Sequence, residues 1–508
     1  MDGRCHCASV ADLLRSQGIS FCFAVPGAPI THVADTAGAS MQQFEWAVNE
    51  KVAVENAIGL SCIGVRAAVM FKQNGLNVAA DALVNAATHS IGAALLIIVA
   101  DDVDCSRSTT LQDSRDLADL MRLPVVEPTM DGDLDRCVVS AVQISEAESI
   151  PVVLRLVGPI PPGAVGAPTT EHRTSGAPPV VNRSITQELT KLGRVQHLRL
   201  RQATEQRGGD ALAPTTVCIE GPEGGADPHR AGIVAFGSAA GVAGEVDACR
   251  LVLRRFGTDE KEIIRFVEEH DRVLIAEEPM PALERRIRQL SIAGHQTIGR
   301  LTGHLPPEGR LDAELLQKAL VDGPRDWNTV DRKPSRLAPH AGYHDLFEAI
   351  ADLRREGLFV AADVGSSVNL CYPPYAASDT AICLGSAVSV ASGAARAARP
   401  AIAVIGDYAL LHTGLQAVVD VALRRLPVVV IVLANGVQEK TGGQPVWPGA
   451  GGRDRDAAIL NGLLAGVAPG VPVEAWDARQ TGLAETTRKL RSLLAVAPAV
   501  ALVSDRTA

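Results

Sequence analysis

Two kinds of segment alternate along most of this chain. Short runs of consecutive apolar residues, many of them β-branched, end in Gly, Pro, Asn or Asp. Between them lie longer stretches whose apolar residues recur three and four positions apart. In the first third, residues 20–25, 66–71 and 94–100 are strand-sized runs. Residues 8–17, 45–59 and 77–89 carry the helical period, and 26–29 and 73–77 are expected as loops. Runs that are apolar at every position, without alternation, belong to strands buried on both faces, as in parallel sheets covered by helices. The pattern resumes at 233–236 and 273–276, with a helix over 309–323. It returns again at 358–362, 401–405 and 428–434, with helices over 343–355 and after residue 407. Two segments lack it. Residues 161–215 are rich in Pro, Gly, Thr and Arg, with a helical part at 187–207, and 324–339 interleave Pro, Arg and Asp. The fold expected is multidomain α/β, with parallel sheets covered by helices. Its domains are 1–165, a smaller central 216–323 and 340–508, joined by linkers 166–215 and 324–339.

The stretch 401–449 carries the most chemistry. One apolar run ends in Gly406-Asp407, a helical segment follows, and a second run ends in Asn435, 28 positions after Asp407. In a parallel sheet both residues fall at carboxyl ends of strands, the edge where ligands bind. A carboxylate and an amide oxygen aimed at one point suit Mg²⁺, which takes oxygen ligands and shares them with phosphates and water. Gly406 lets the backbone approach a diphosphate, and the following helix offers free N–H groups. Gly-Asp followed by Asn at this distance resembles the thiamine diphosphate signature. The same pair also makes ordinary turns.

Composition narrows the field. A length of 508 residues corresponds to about three domains. The net charge of −10 and the absence of a basic run argue against nucleic acid as a partner. No apolar run reaches the ~18 residues of a membrane span, and the first residues lack the apolar core of a signal peptide, so no membrane partner and a cytoplasmic location are expected. Ten cysteines are scattered without a Cys-x-x-Cys pair and are expected as reduced thiols. Cys5-His6-Cys7 reads as an exposed terminus. The glycines at 237–241 lack the dinucleotide-binding spacing and read as a packing turn, and Glu277-Glu278 read as helix-capping acids, a bridge to a partner subunit or a solvated turn.

Several long stretches, in order, carry a wider resemblance: EWAVNEKVAVENAIG, FKQNGLNVAADALV, IIVADD, QDSRDLADLMRLPVVEP, DRVLIAEEPMPALERRIRQL, TGHLPPEG, VIGDYALLHTG and TGGQPVWPG. The chain resembles the thiamine-diphosphate-dependent alpha subunit of indolepyruvate:ferredoxin oxidoreductase. The resemblance implies an aminopyrimidine-binding first domain, a central domain like the transketolase C-terminal domain, and a diphosphate- and Mg²⁺-binding last domain. It makes Glu50 the cofactor-activating acid and Asp407, Asn435 and the Val437 carbonyl the Mg²⁺ ligands. His412 is placed near the reacting carbon, although a plain helix residue is an equal reading. The cofactor would lie against Pro26, Gly27 and Glu50 in the first domain, and Gly365, Ser366, Gly385, Ser386, Gly406, Asp407, Tyr408, Asn435, Val437 and Gln438 in the last.

Departures from the family pattern are equally specific. Its Cys-Pro-x-Cys-Pro-His loop corresponds here to Ala338-Pro339-His340-Ala341-Gly342-Tyr343, and its Asp-Ile-Gly-Cys to Asp363-Val364-Gly365-Ser366. The family's Cys-x-x-Cys-rich tail has no counterpart, since no cysteine follows Cys383. Thiamine diphosphate and Mg²⁺ without an iron–sulfur cluster are therefore expected. Glu439-Lys440 stand where the family has small and apolar residues, forming either a solvated pair or a polar pocket wall. The activity expected is non-oxidative decarboxylation of a 2-oxo acid, an arylpyruvate such as indole-3-pyruvate. The remaining acyl carbon then joins a second carbonyl or acyl substrate, possibly carrier- or CoA-bound, in acyloin formation by a homodimer. Three alternatives stand: a simple decarboxylase releasing an aldehyde, an oxidoreductase subunit whose clusters sit in a partner, and a scaffold that has kept the fold.

Overall fold

A computed structural model describes residues 10–105, 108, 110–129, 133–157, 177–181, 212–217, 231–290, 297–327, 338–446 and 453–505. The chain divides into two compact units, Met1–Thr329 and Val330–Ala508.

The first unit contains two sheets. Strands β1 (Phe21–Ala24), β2 (Gln43–Trp46), β3 (Ala67–Lys72), β4 (Leu95–Asp101), β5 (Val125–Val126) and β6 (Val152–Val157) are parallel to their neighbours. Further along come β7 (Thr215–Val217), β8 (Ala231–Phe236), β9 (Cys249–Leu253), β10 (Arg255–Phe256), β11 (Arg272–Ala276) and β12 (Thr297–Ile298). The first sheet runs β10-β5-β6-β4-β3-β1-β2 and the central one β12-β11-β8-β9-β7. The chain leaves β9 in the central sheet and within two residues adds β10, antiparallel, to the first sheet beside β5. β3, β4 and β6 are buried almost throughout, as their unbroken apolar runs require.

The second unit holds one sheet of six strands. These are β13 (Phe359–Ala362), β14 (Thr380–Ala381), β15 (Ala401–Gly406), β16 (Val428–Leu433), β19 (Val473–Asp477) and β20 (Ala499–Ser504), in the order β14-β13-β15-β16-β20-β19. A small antiparallel ribbon, β17 (Val437–Gln438) with β18 (Gln444–Pro445), follows β16. Numbered within each sheet by chain order, both large parallel arrays read 2-1-3-4-6-5. Chain order reverses between the first and third strands, which opens a ligand crevice at their carboxyl ends.

Most expected elements are present with ends shifted by a few residues. One expected loop is not. Residues 73–77 form the first turns of the helix Gln73–His89. Their polar composition reads as a loop, but Gln73 is buried and serves the loop after β4: its Oε1 accepts from the Asp102 backbone N–H (3.3 Å) and its Nε2 donates to Ser108 Oγ (3.1 Å). The helix expected over 309–323 is shorter, Ala313–Val321, because Asp312 caps it by accepting from the Leu315 N–H at 2.8 Å. Glu277 and Glu278 are buried rather than solvated. Glu277 accepts the N–H groups of Leu283 and Glu284, both at 2.7 Å, and so caps the helix Ala282–Leu290, whereas Glu278 accepts from Ser238 Oγ and the Leu311 N–H. Cys5-His6-Cys7 and the helix expected at 187–207 lie outside the described residues. Among the described residues no helix is long and apolar enough to cross a membrane.

Candidate active site

In the second unit, Asp407 follows β15 and starts a single helical turn, Asp407–Ala409. Its carboxylate is 2% exposed. Oδ1 accepts from the Tyr408 N–H at 2.8 Å and Oδ2 from the Gly436 N–H at 2.7 Å. The second bond ties the end of β15 to the loop after β16 and brings Asp407 beside Asn435, whose Oδ1 accepts from the Val437 N–H at 3.2 Å. The two expected ligands are thus held together by a backbone link. The set is all oxygen, as Mg²⁺ prefers. Among the described residues no group of three or more His, Cys, Asp or Glu is placed to hold a metal, so such a site would draw on the Asn435 amide and a carbonyl.

Two observations fit a diphosphate here. A Cβ built on Gly365 or Gly406 would meet nothing within 4 Å, which leaves open ground over both strand ends. Gly406 has an ordinary extended backbone (φ −74°), so the space, not the conformation, accounts for a glycine. Gln438 Nε2 is buried and has no hydrogen-bond partner among the described residues, a donor placed for an acceptor that the protein does not supply.

His412 lies in a π-helical turn, Leu410–Gly414, between the Asp407 turn and the helix Leu415–Arg424. Such widened turns recur at functional sites. The ring is 2% exposed, 5.9 Å from that of Tyr408, with Nδ1 3.5 Å from Thr413 Oγ1. Asp363, which sequence reasoning left out of the site, stands at the end of β13. Its Oδ1 accepts from Val364 N–H (2.9 Å) and its Oδ2 from Gly385 N–H (2.8 Å). Burial pushes this carboxyl up to about 6, against the pull of those N–H groups and of His412 nearby. Asp363 thereby fixes the turn that carries Gly385 and Ser386 into the helix Ala387–Arg396. Gly385 sits at φ +89°, and a Cβ there would overlap Thr413 Oγ1, which donates to the Leu384 carbonyl at 2.9 Å. All the expected residues of the last domain therefore gather at the carboxyl ends of β13 to β16.

Glu439 and Lys440 line a cavity of about 250 Å³ with His340, Asn369, Arg479 and Asp505. Glu439 Oε2 accepts from Ser366 Oγ at 2.6 Å and pairs with His340 Nε2 at 3.1 Å. The Gly342 N–H points at His340 Nδ1 (3.2 Å), so the proton rides on Nε2 and faces Glu439. His340, outweighing the burial, then Ser366 and Lys440 hold the Glu439 carboxyl down at about 2. Ala338 and Ala341 line the same cavity. Two of the three positions where the resembled family has cysteine thus line this polar pocket, and the third, Ser366, donates to its Glu439.

In the first unit, Asn49 caps the helix Glu50–Cys62 by accepting the Val52 N–H at 2.8 Å, and Glu50 becomes its first residue. Glu50 is 5% exposed, and its side chain lies on Gly75 of the neighbouring helix. Pro26-Gly27 follow β1, and the stem of Lys72, at the end of β3, lies across Gly27. Glu50, Gly27 and Lys72 therefore share the carboxyl edge of the first sheet. Lys72 and Gly75 were missed from sequence because nothing in their local pattern marks them.

Residues 7–118 match the N-terminal TPP-binding domain of thiamine pyrophosphate enzymes, and residues 363–498 match the C-terminal TPP-binding domain. The chain belongs to the thiamine-pyrophosphate-dependent enzymes and carries both binding domains. Within that group its homologues include indolepyruvate oxidoreductase subunit IorA of Methanothermobacter thermautotrophicus, 26% identical over 471 residues (84% of this chain, 74% of that protein). They also include IorA of Pyrococcus horikoshii, 27% identical over 485 residues (84% and 73%). Among solved structures, 2-oxoglutarate:ferredoxin oxidoreductase of Magnetococcus marinus aligns at 14% identity over 60% of this chain and 62% of that one, with a TM-score of 0.44.

Proposed function

We propose that this chain is a thiamine-diphosphate- and Mg²⁺-dependent enzyme that decarboxylates a 2-oxo acid, an arylpyruvate such as indole-3-pyruvate, and joins the remaining acyl carbon to a second carbonyl or acyl substrate. Bound thiamine diphosphate supplies a nucleophilic carbon for the 2-oxo group and an electron sink for loss of carbon dioxide. Glu50 shares a proton with a ring nitrogen of the aminopyrimidine. Its burial at a helix start keeps water from competing for that proton. Asp407, Asn435 and the Val437 carbonyl hold Mg²⁺, and Gln438 Nε2 donates to the diphosphate. His412, enclosed in its π turn, is the candidate to move a proton near the reacting carbon.

The observation that carries ligation over electron transfer is the polar pocket of His340, Ser366 and Glu439. Its lining of hydrogen-bonding groups suits a second polar substrate, and Lys440 and Arg479 in that lining, beside the acid Asp505, offer cations to an anionic or CoA-linked one. Two subunits would complete the working enzyme. The names of the homologues favour a second reading, an oxidoreductase subunit that passes electrons to a partner. Incubation with thiamine diphosphate, Mg²⁺ and indole-3-pyruvate separates the two. Carbon dioxide release and an acyloin product in the absence of any electron acceptor are expected; release only when an acceptor is added would sink the ligase reading.

A further inference from the structure

We propose that Lys72 binds the carboxylate of the 2-oxo acid and so selects keto acids as donors; this rests on the functional reading above. Lys72 ends β3 with its stem laid over Gly27, where a Cβ would stand 2.7 Å from Lys72 Cδ. The missing side chain at 27 is what gives the lysine its path. Nζ donates to Ser108 Oγ at 2.8 Å. That hydroxyl donates to Asp102 Oδ2 at 2.8 Å and receives Gln73 Nε2 at 3.1 Å.

An ammonium has three donors, and among the described residues one is used. Among the described residues no carboxylate pairs with it directly. Asp102 is reached only through the Ser108 hydroxyl, and Glu50 acts on it through charge alone. A partly buried cation without a direct counter-ion loses hydration, and among the described residues only the Ser108 hydroxyl replaces part of it. Burial accordingly lowers the Lys72 pKa, although Asp102 and Glu50 pull it back up. The cation lies on the carboxyl edge of the sheet, where ligands bind, beside the acid assigned to the cofactor. The anion that belongs there is the one the substrate carries. Its negative charge departs with carbon dioxide, so Lys72 favours capture of the acid more than the bond-breaking step.

The experiment pairs Lys72→Met and Lys72→Arg with donors that do and do not carry the carboxylate. Lys72→Met is expected to raise KM for indole-3-pyruvate ~10–100-fold with a much smaller change in kcat, the size of a lost charge-assisted contact. Lys72→Arg restores part of it. KM for the corresponding aldehyde, which lacks the carboxylate, stays within about twofold. A calorimetric titration with indole-3-propionate, a carboxylate that cannot turn over, reads the site without activity: the wild-type chain binds it and Lys72→Met does not. Equal losses with acid and aldehyde, weakened thiamine diphosphate binding in Lys72→Met, or indole-3-propionate binding absent from the wild type or unchanged by the substitution would each overturn the assignment. The second outcome would mark Lys72 as a cofactor ligand. Inactivity of the wild type toward every 2-oxo acid would defeat the functional reading, while the titration still decides on Lys72.

Discussion

A methyl group at position 75 would fall 2.6 Å from Glu50 Oε1 and 2.7 Å from its Cγ, so Gly75→Ala forces the glutamate to another rotamer. Alanine is better than glycine in a helix by about 1 kcal/mol. Thermal stability should therefore hold or rise while turnover falls at least ~10-fold, the low end for a displaced general acid–base group; circular-dichroism melting and initial rates check both. Glu439 gives a residue-scale pH effect. Its folded pKa of about 2 lies below the ordinary 4.5, so the stability it contributes is present above about 4.5 and lost as the pH falls toward 2. The group is 41% exposed, and screening reduces its worth to about 1 kcal/mol or less. The melting gap between wild type and Glu439→Gln should narrow on acidification from pH 7 to pH 3. The places of Asp407 and Asn435 just past buried strands were legible in the sequence, because the apolar runs before them mark those strands, whereas Glu50 was singled out only by the resemblance. Gly75 and Asp363 were not legible, because their roles are defined by partners 25 and 22 positions away.

The two parallel arrays share the order 2-1-3-4-6-5, which puts Glu50 and Gly385-Ser386 in corresponding places, each after the second strand and at or just before the next helix. Apolar runs in the sequence showed that such strands exist and are parallel. The order was not legible, because the second strands carry little signal: β14 is two residues long, and β2 is only half buried. The π turn was hidden for a similar reason, since one extra residue in a helix leaves the apolar period almost unchanged. Where the β14 loop meets that turn, Gly385→Ala must both adopt φ +89° and displace Thr413 Oγ1. A cost of about 1–3 kcal/mol is expected, read as a lower denaturation midpoint. Thiamine diphosphate affinity should fall with it, because Asp363 can no longer hold the Gly385 N–H in place.

At the scale of the whole chain, the first unit is held together by charge where its two sheets meet. Arg155, buried in β6, pairs with Asp101 at 2.8 Å and with Glu127. Arg115 pairs with Asp113 at 2.6 Å and Glu277 at 2.8 Å and donates to the carbonyls of Glu278 and Met280. Two stretches that carry the family resemblance, around Asp113-Ser114-Arg115 and Glu277-Glu278-Pro279, thus meet in space, a pairing that no reading of either stretch alone could give. Burial drives the carboxyls of Asp101, Glu127 and Glu277 up, while the two arginines overcome burial at Asp113 and hold it at about 2. Removing one cation from such a cluster leaves buried charge without a partner, which typically costs about 3–5 kcal/mol. In Arg155→Met, calorimetry of the full chain should show the transition of the Met1–Thr329 unit displaced downward and that of the Val330–Ala508 unit in place. Acids whose folded pKa is raised bind more protons folded than unfolded, so the structure is relieved as the pH falls through their folded values. The deficit of Arg155→Met should accordingly narrow on mild acidification, because Asp101 and Glu127 take up protons in place of the lost guanidinium. A deficit that stays constant with pH would mean that packing around Arg155, not its charge, joins the two sheets.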